Sequence, residues 1–316
     1  MTDLSILIVS WNTKELLLQC LRSITADLQG FEYQIVVVDN ASVDGSVQAV
    51  KGGFPSASII ENESNIGFAA ANNRGLKYCA GRYVLLINSD VVVKEGCIEA
   101  LWDYMEKNKD VGLLGPKVLN ADLSIQESCR AFPTIWNSLC RAFALDTAFP
   151  KSRLFGGQLM RYWAHDETSP VDVLSGCFWM ARQEALQIVG PLDERFFMYA
   201  EDKDWCKTFW ERGWKVVYHP KAQAIHFSAA SSSRDPIRFY VEMQRANLLY
   251  WKKHSGVLHQ IVMWGIMFLN NSIRLLSGSI LAATPLSSRR EGLERIHKSA
   301  AGMKWLLLRS PSRRGL

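Results

Sequence analysis

The sequence has no C-x-x-C pair among its seven cysteines, which stand at 20, 79, 97, 129, 140, 177 and 206. Scattered and odd in number, they exclude a zinc knuckle or dithiol redox motif and fit reduced thiols in a cytosolic setting. No G-x-G-x-x-G follows the first apolar run and no G-x-x-x-x-G-K-[ST] occurs, which disfavours a dinucleotide-binding site and excludes a P-loop. The opening Met1-Thr2-Asp3 runs straight into apolar residues, without the basic stretch and small-residue cleavage site of a signal peptide. Charge of one sign is scarce too. The formal net charge is +5; residues 286–316, with eight Lys and Arg against two Glu, carry +6, which leaves −1 for everything before them. The rest of the chain is near neutral, so nucleic acid is not an expected partner.

What is present is a 316-residue chain with 48% hydrophobic residues, enough to bury a substantial core. Its first half alternates short apolar runs with helical patterns. Residues 4–10 (LSILIVS), 34–38 (QIVVV), 57–61 and 82–87 (RYVLLI) read as strands; 13–26, 42–50 and 67–79 read as helices. That alternation predicts βαβ units and a mostly parallel sheet, and the continuous apolar strands predict cover on both faces. Beyond Asp90 the spacing predicts a helix over 96–108, strands over 111–118, 171–181, 214–218 and 222–227, and a helix over 201–211. Residues 121–170 are irregular, and from 235 the pattern is helical and apolar.

Ligands of an open α/β sheet bind beyond the carboxyl ends of its strands. Those ends read Ser10-Trp11-Asn12-Thr13, Asp39-Asn40-Ala41-Ser42, Asn65-Ile66-Gly67-Phe68 with Asn72-Asn73, and Asn88-Ser89-Asp90. Each set alone is equally a turn or a helix cap; four in register point to one crevice. An isolated acid at the end of a core strand, Asp90, suits Mg2+ or Mn2+ bridging a carboxylate to substrate phosphates. A second constellation, 196–205 (FFMYAEDKDW), leads aromatic side chains into three acids at a helix start. Acids there complement the helix dipole, but three in four positions repel one another, and a partly dry approach raises one of them toward a general base's range. His226, at the end of the last strand, is structural unless that strand lies beside the cation site. The serines of 228–233 with Arg234 read as a phosphate-contacting loop.

Taken in order, LSILIVSWNT, VVVDNASVDGS, NIGFAAANNRG, YVLLINSDVVV, SGCFWMARQEAL, VGPLDERFFMYAEDKDWC and IHF resemble the family 2 glycosyltransferases of GT-A fold, and most of all their bacterial rhamnosyltransferase-like branch. The resemblance implies an α/β fold, a mostly parallel sheet flanked by helices with a C-terminal helical extension. It implies a glycosyltransferase domain over 1–234, with a nucleotide-sugar half at 1–120 and an acceptor half at 121–234, before a helical region at 235–316. Asp39 is then expected to contact the nucleotide base, with Ser10 and Asn12 in the same pocket. Asn65, Gly67 and Asn72 are expected to shape the wall around ribose and diphosphate. Asn88-Ser89-Asp90 stands at the family's DXD metal motif with Asn in place of the first acid, leaving Asp90 as the metal contact and His226 as a second ligand. Asp202 matches the catalytic base, with Glu201 as its fallback.

The implied activity is inverting, metal-dependent transfer from a nucleotide-diphospho-sugar, dTDP-L-rhamnose being the expected donor. The expected acceptor is a polyprenyl-diphosphate-linked glycan of bacterial surface polysaccharide synthesis. Asp90 and Asp202 are expected on opposite sides of one pocket. The alternative is a non-catalytic sugar- or nucleotide-binding module of an assembly complex; a nucleotidyltransferase would need a Gly-rich basic loop that 10–13 does not provide. Residues 257–283 are the most apolar stretch. There His259, Gln260, Asn270, Asn271 and Arg274 fall in an arc of roughly 120°, which fits a helix lying in the bilayer interface better than one crossing it. Trp264, the basic end and a second apolar patch at 305–308 favour the cytoplasmic membrane surface; a dimer or core-packing helix is the alternative, and a homo-oligomer is left open.

Overall fold

A computed structural model of the chain describes residues 2–228, 235–284 and 286–308. The elements run β1 (Leu4–Ser10), α1 (Lys14–Asp27), β2 (Tyr33–Asp39), α2 (Ser46–Gly53), β3 (Ser58–Glu61), α3 (Phe68–Leu76), β4 (Tyr83–Asn88), β5 (Val91–Val93), α4 (Cys97–Lys107) and β6 (Val111–Leu119). There follow β7 (Cys129–Arg130), α5 (Ile135–Ala142), α6 (Leu145–Ala148), β8 (Ser169–Pro170), β9 (Val173–Leu174), β10 (Phe178–Arg182), α7 (Gln183–Val189), α8 (Glu201–Glu211), β11 (Lys215–His226), α9 (Pro236–Ala282) and α10 (Leu286–Leu308). The serine-rich loop expected at 228–234 lies outside the described residues from 229 onward, as do the basic residues past 308.

Two compact units emerge. The first comprises Met1–Phe132, Trp163–Phe197 and Glu201–Ser231; the second comprises Pro133–Tyr162, Met198–Ala200 and Ser232–Leu316. Residues 133–162, expected in the acceptor half, thus cluster with the C-terminal helices.

The first unit is built on one mixed sheet in the order β3-β2-β1-β4-β10-β6-β11-β5, with β8 also against β11. The β1–β2, β1–β4, β2–β3 and β6–β11 pairs are parallel, and β10 is antiparallel to both neighbours. Continuous apolar strands fill its centre: Leu4, Ile6, Ile8, Tyr83, Leu85 and Met180 are fully buried, with Leu17, Cys20, Leu21 and Ile24 of α1 laid against them. All seven cysteines are free and buried. Two expected strands took another form. Residues 171–181 divide into β9 and β10, because the chain turns at 175–177. The pair expected at 214–227 is one strand, β11, whose ladder slips between His219 and Gln223. Pro220 has no N–H for a ladder, so a bulge is where it is tolerated.

In the second unit, α9 is broken at Gly256 (φ 81°, ψ 178°). Its second half packs against α10. The polar arc of 257–283 divides: Gln260 and Asn271 are buried, Asn270 and Arg274 half-buried and His259 exposed, while Leu258, Leu276 and Ile280 are exposed. Leu306, read as part of an outer patch, is fully buried and its carbonyl accepts the Trp264 indole N–H at 3.1 Å. Among the described residues no helix is long and apolar enough to cross a membrane.

Candidate functional site

Sheet register brings the predicted residues together. Ser10 lies opposite Asp39 at the carboxyl ends of β1 and β2, and Asn88 ends β4 opposite Val9. The Ser10 hydroxyl meets Thr13 Oγ1 at 3.1 Å, and Thr13 meets Ser89 Oγ at 2.7 Å, so a buried chain of hydroxyls ties the ends of β1 and β4. Asn12, at a left-handed φ of 55°, accepts the Val43 N–H at 2.7 Å through Oδ1. That bond holds the 39–46 turn over β1. Asp39 Oδ2 accepts the Ser42 N–H at 2.8 Å, while its buried Oδ1 has no partner. A buried carboxylate oxygen without a donor is costly and is open to a ligand N–H.

The wall beside this edge is pinned by amides. Asn65 Oδ1 accepts the Gly67 N–H at 3.0 Å, and Asn72 donates to the Phe68 carbonyl at 2.9 Å. Asn40 donates to the Gly67 carbonyl at 3.2 Å. Gly67 itself has φ +89°, and a Cβ there would collide with the Phe197 carbonyl and ring. The Phe68 N–H donates to that same carbonyl at 2.7 Å. Asn73 pairs both ways with Leu192, donating to its carbonyl at 2.8 Å and accepting its N–H at 2.9 Å. Asn73, not only Asn72, thus joins α3 to the segment that leads into the acids.

Asp90 follows β4, and the chain turns at once into β5. Because β5 runs antiparallel to β11, His226 sits opposite Val91. That register places His226 Nε2 3.2 Å from Asp90 Oδ1, both side chains largely buried. Gln126 orients the ring: its amide nitrogen donates to Asn120 Oδ1 at 2.8 Å and to the His226 carbonyl at 3.2 Å, so its Oε1 faces Nδ1 at 2.7 Å. With Nδ1–H committed to Gln126, a neutral ring turns its Nε2 lone pair toward the Asp90 carboxylate. Two acceptors at that distance need a proton or a cation between them. Burial opposes a charged imidazole here, but the Cys177 sulfur and then Asp90 outweigh it and raise the His226 pKa. One carboxylate and one imidazole suit Mn2+ or Mg2+ that takes its other ligands from water and phosphate. Among the described residues no cluster of three or more His, Cys, Asp and Glu side chains is poised for a metal.

The acids begin α8. Trp205, buried against Trp179 at 5.2 Å between centroids, donates its indole N–H to the Gly190 carbonyl at 3.0 Å and fixes the helix on β10. Tyr199 and Ala200, just before it, both have left-handed φ (68° and 65°), an arrangement costing on the order of 1 kcal/mol per residue. Glu201, Asp202 and Asp204 are all buried. Asp202 Oδ1 accepts the Lys203 N–H at 2.8 Å, and Oδ2 lies 3.5 Å from Arg130 Nη1. Glu201 Oε2 is buried without a partner. Burial first, and the Asp202 charge second, push the Glu201 carboxyl up to about 8. The two acids are thereby separated in character, one holding its proton at neutral pH and one paired with a cation.

The metal-type pair and the acid pair are linked by a short stretch of chain. Arg130 pairs in register with Val173 of β9, and the Cys177 carbonyl accepts the Asn88 N–H at 2.9 Å. Cys177 follows Val173 by four positions, a path of at most about 14 Å. Arg130 and Gln126 were not singled out by sequence reasoning. Both lie in the irregular 121–170 stretch, where no periodicity marks a side chain's direction.

Comparison with known proteins agrees with this architecture. Residues 5–188 match Glycosyl transferase family 2. The chain is 29% identical over 272 residues to the N-acetylglucosaminyl-diphospho-decaprenol L-rhamnosyltransferase of Mycobacterium tuberculosis, covering 82% of this chain and 87% of that one. It is 24% identical over 266 residues to the dTDP-rhamnosyl transferase RfbF of Shigella flexneri, covering 80% and 82%. Among solved structures, the mannosyltransferase PcManGT from Pyrobaculum calidifontis, in complex with GDP-Man and Mn2+, aligns with a TM-score of 0.52 at 15% identity. It covers 98% of this chain and 90% of its own. That likeness establishes the GT-A fold.

Proposed function

The chain belongs to glycosyl transferase family 2, in its rhamnosyltransferase-like branch, and on that premise we propose that it transfers a sugar, with inversion, from a nucleotide-diphosphate donor to a polyprenyl-diphosphate-linked glycan. The proposed donor is dTDP-L-rhamnose and the setting is bacterial surface polysaccharide synthesis, with the protein peripheral on the inner face of the cell membrane. The observation that carries the reading is the shared carboxyl edge: Ser10 and Asp39 in register, Asn88 one strand away, and the Asp90–His226 pair fixed by the β5–β11 ladder.

In this reading the partnerless Asp39 Oδ1 accepts an N–H of the nucleobase. Asn65, Gly67 and Asn72 shape the wall through their internal hydrogen bonds rather than by reaching out. Asp90 and His226 would hold Mg2+ or Mn2+, with Asn88 and Ser89 beside them on the donor side; when bound, the cation offsets the charge of the departing diphosphate. Asp202 takes the proton from the acceptor hydroxyl. Arg130 beside its Oδ2 keeps the carboxylate oriented, and the Lys203 N–H fixes the other oxygen. Glu201, neutral near pH 7, spares Asp202 a second negative charge next to it.

Asp202→Asn keeps the shape and removes the base. Transfer should fall by roughly 10²- to 10⁴-fold while donor binding, measured by calorimetry with and without Mn2+, survives. Full transfer by that variant would refute the assignment. Release of nucleoside diphosphate, screened across donors, identifies the sugar nucleotide; no release from any donor would favour the binding-module alternative.

A further inference from the structure

We infer that α10 and the part of α9 beyond Gly256 form an inside-out helical hairpin whose aliphatic face seats in the headgroup–acyl boundary of an anionic bilayer. This deepens the membrane part of the reading above and does not depend on the transfer chemistry.

The hairpin inverts the usual distribution of polarity. At 100° per residue, Leu258, Ile261, Val262, Leu269, Leu276 and Ile280 fall within an arc of about 100°. Every one is exposed, Leu258 at 72%, Leu276 at 67% and Ile280 at 69%. The opposite side of the same helix carries Gln260, Asn271 and Gly278, all buried. Asn271 is enclosed by polar partners: Oδ1 accepts from Tyr240 at 2.8 Å, and Nδ2 donates to Gln244 Oε1 at 3.1 Å. Ser299 of α10 is fully buried as well.

Glycines let the two helices approach at backbone distance. A Cβ on Gly292 would lie 2.5 Å from the Ala282 nitrogen, and one on Gly278 3.0 Å from the Gly292 carbonyl. Small residues and side-chain amides between helices, with aliphatics outside, are how helices pack when their surroundings are lipid. In water the informative features are a buried polar group and an exposed large apolar patch; this hairpin has both.

Charge selects the occupant. On α10 the exposed residues Arg289, Arg290 and Lys304 lie among exposed Leu293, Leu307 and Leu308. Cations beside aliphatic side chains match lipid phosphates above acyl chains. A second copy docked through this face about a two-fold axis would set like charges against one another. The hairpin lies on the bilayer rather than crossing it, since among the described residues no helix is long and apolar enough to span.

The test is flotation of the full chain with vesicles of phosphatidylcholine alone and of phosphatidylcholine mixed with phosphatidylglycerol. The protein should float with the mixed vesicles. The triple variant Leu258→Glu, Leu276→Glu, Ile280→Glu should lose at least about tenfold in bound fraction. Arg289→Gln, Arg290→Gln, Lys304→Gln should weaken binding to anionic vesicles by roughly a hundredfold. All six positions are exposed, and circular dichroism checks that the helices persist. Failure of the unmodified protein to float overturns the inference, as does equal flotation of the aliphatic variant. A dimer in gel filtration that the aliphatic variant splits would reassign the face to a second copy. Donor hydrolysis in lipid-free solution tests the transferase reading alone, so lost flotation with retained hydrolysis supports the lipid seat.

Discussion

Glu201→Gln should make the protein progressively more stable than the parent as pH rises from about 4 to about 8, with the gain near zero at pH 4 and largest at alkaline pH. Glu201 is buried, its Oε2 lacks a partner, and its pKa is pushed to about 8 by burial and then by Asp202. Unfolded, it returns to an ordinary carboxylate value near 4.3. Between those values the folded chain binds a proton that the unfolded chain has released. Stability from this group is therefore complete below the unfolded pKa and is lost as pH climbs through the folded one. One proton is worth about 1.4 kcal/mol per pH unit. The full window would approach 5 kcal/mol, and allowing for relaxation around the ionised pair leaves on the order of 3 kcal/mol. Glutamine keeps the volume and the hydrogen-bonding edge without the titration. Urea unfolding at pH 6 and pH 9, followed by the fluorescence of the buried Trp179–Trp205 pair, reads the difference. Parallel curves for the two proteins across that range would refute a proton held on Glu201, and with it the division of roles between the two acids.

Arg130→Ala should lower kcat about fivefold with donor KM unchanged, and Arg130→Lys should restore most of it, since a half-exposed ion pair is worth about 1 kcal/mol. A fall in donor affinity instead would place Arg130 on the donor. Gly67→Ala should cost about 3 kcal/mol in thermal unfolding, because the left-handed φ and the Phe197 carbonyl both oppose a methyl group. Chelation should stop donor hydrolysis and Mn2+ should restore it; His226→Ala should raise the Mn2+ needed by at least about tenfold, a titration that an unchanged midpoint would contradict.

The sheet was legible because β1, β2 and β4 are buried on both faces, and such strands read as unbroken apolar runs. The strand-end residues were legible for the same reason: once the strands are known, Ser10, Asp39 and Asn88 share an edge. Pairings across long stretches of sequence were not. Nothing local to Gln126 announces that it orients His226, and nothing near Arg130 announces Asp202, because each depends on a ladder formed by distant strands. Asn72 and Asn73 differ by about 100° around α3, so adjacent identical residues face different neighbours, and only Asn73 reaches Leu192. For 257–282 the period of the pattern was correct, but a period separates two faces without saying which turns inward. Asn271 settled that by finding Tyr240 and Gln244.

The meeting of Gly67 with Phe197 carries a mechanical consequence. With a backbone hydrogen bond joining Phe68 to Phe197 and no free volume at Gly67, the donor-side turn and the approach to Glu201 transmit displacement like two gears in mesh. A shift of residues 65–68 therefore moves the Phe197 backbone, four positions ahead of Glu201, rather than being absorbed in slack at the turn.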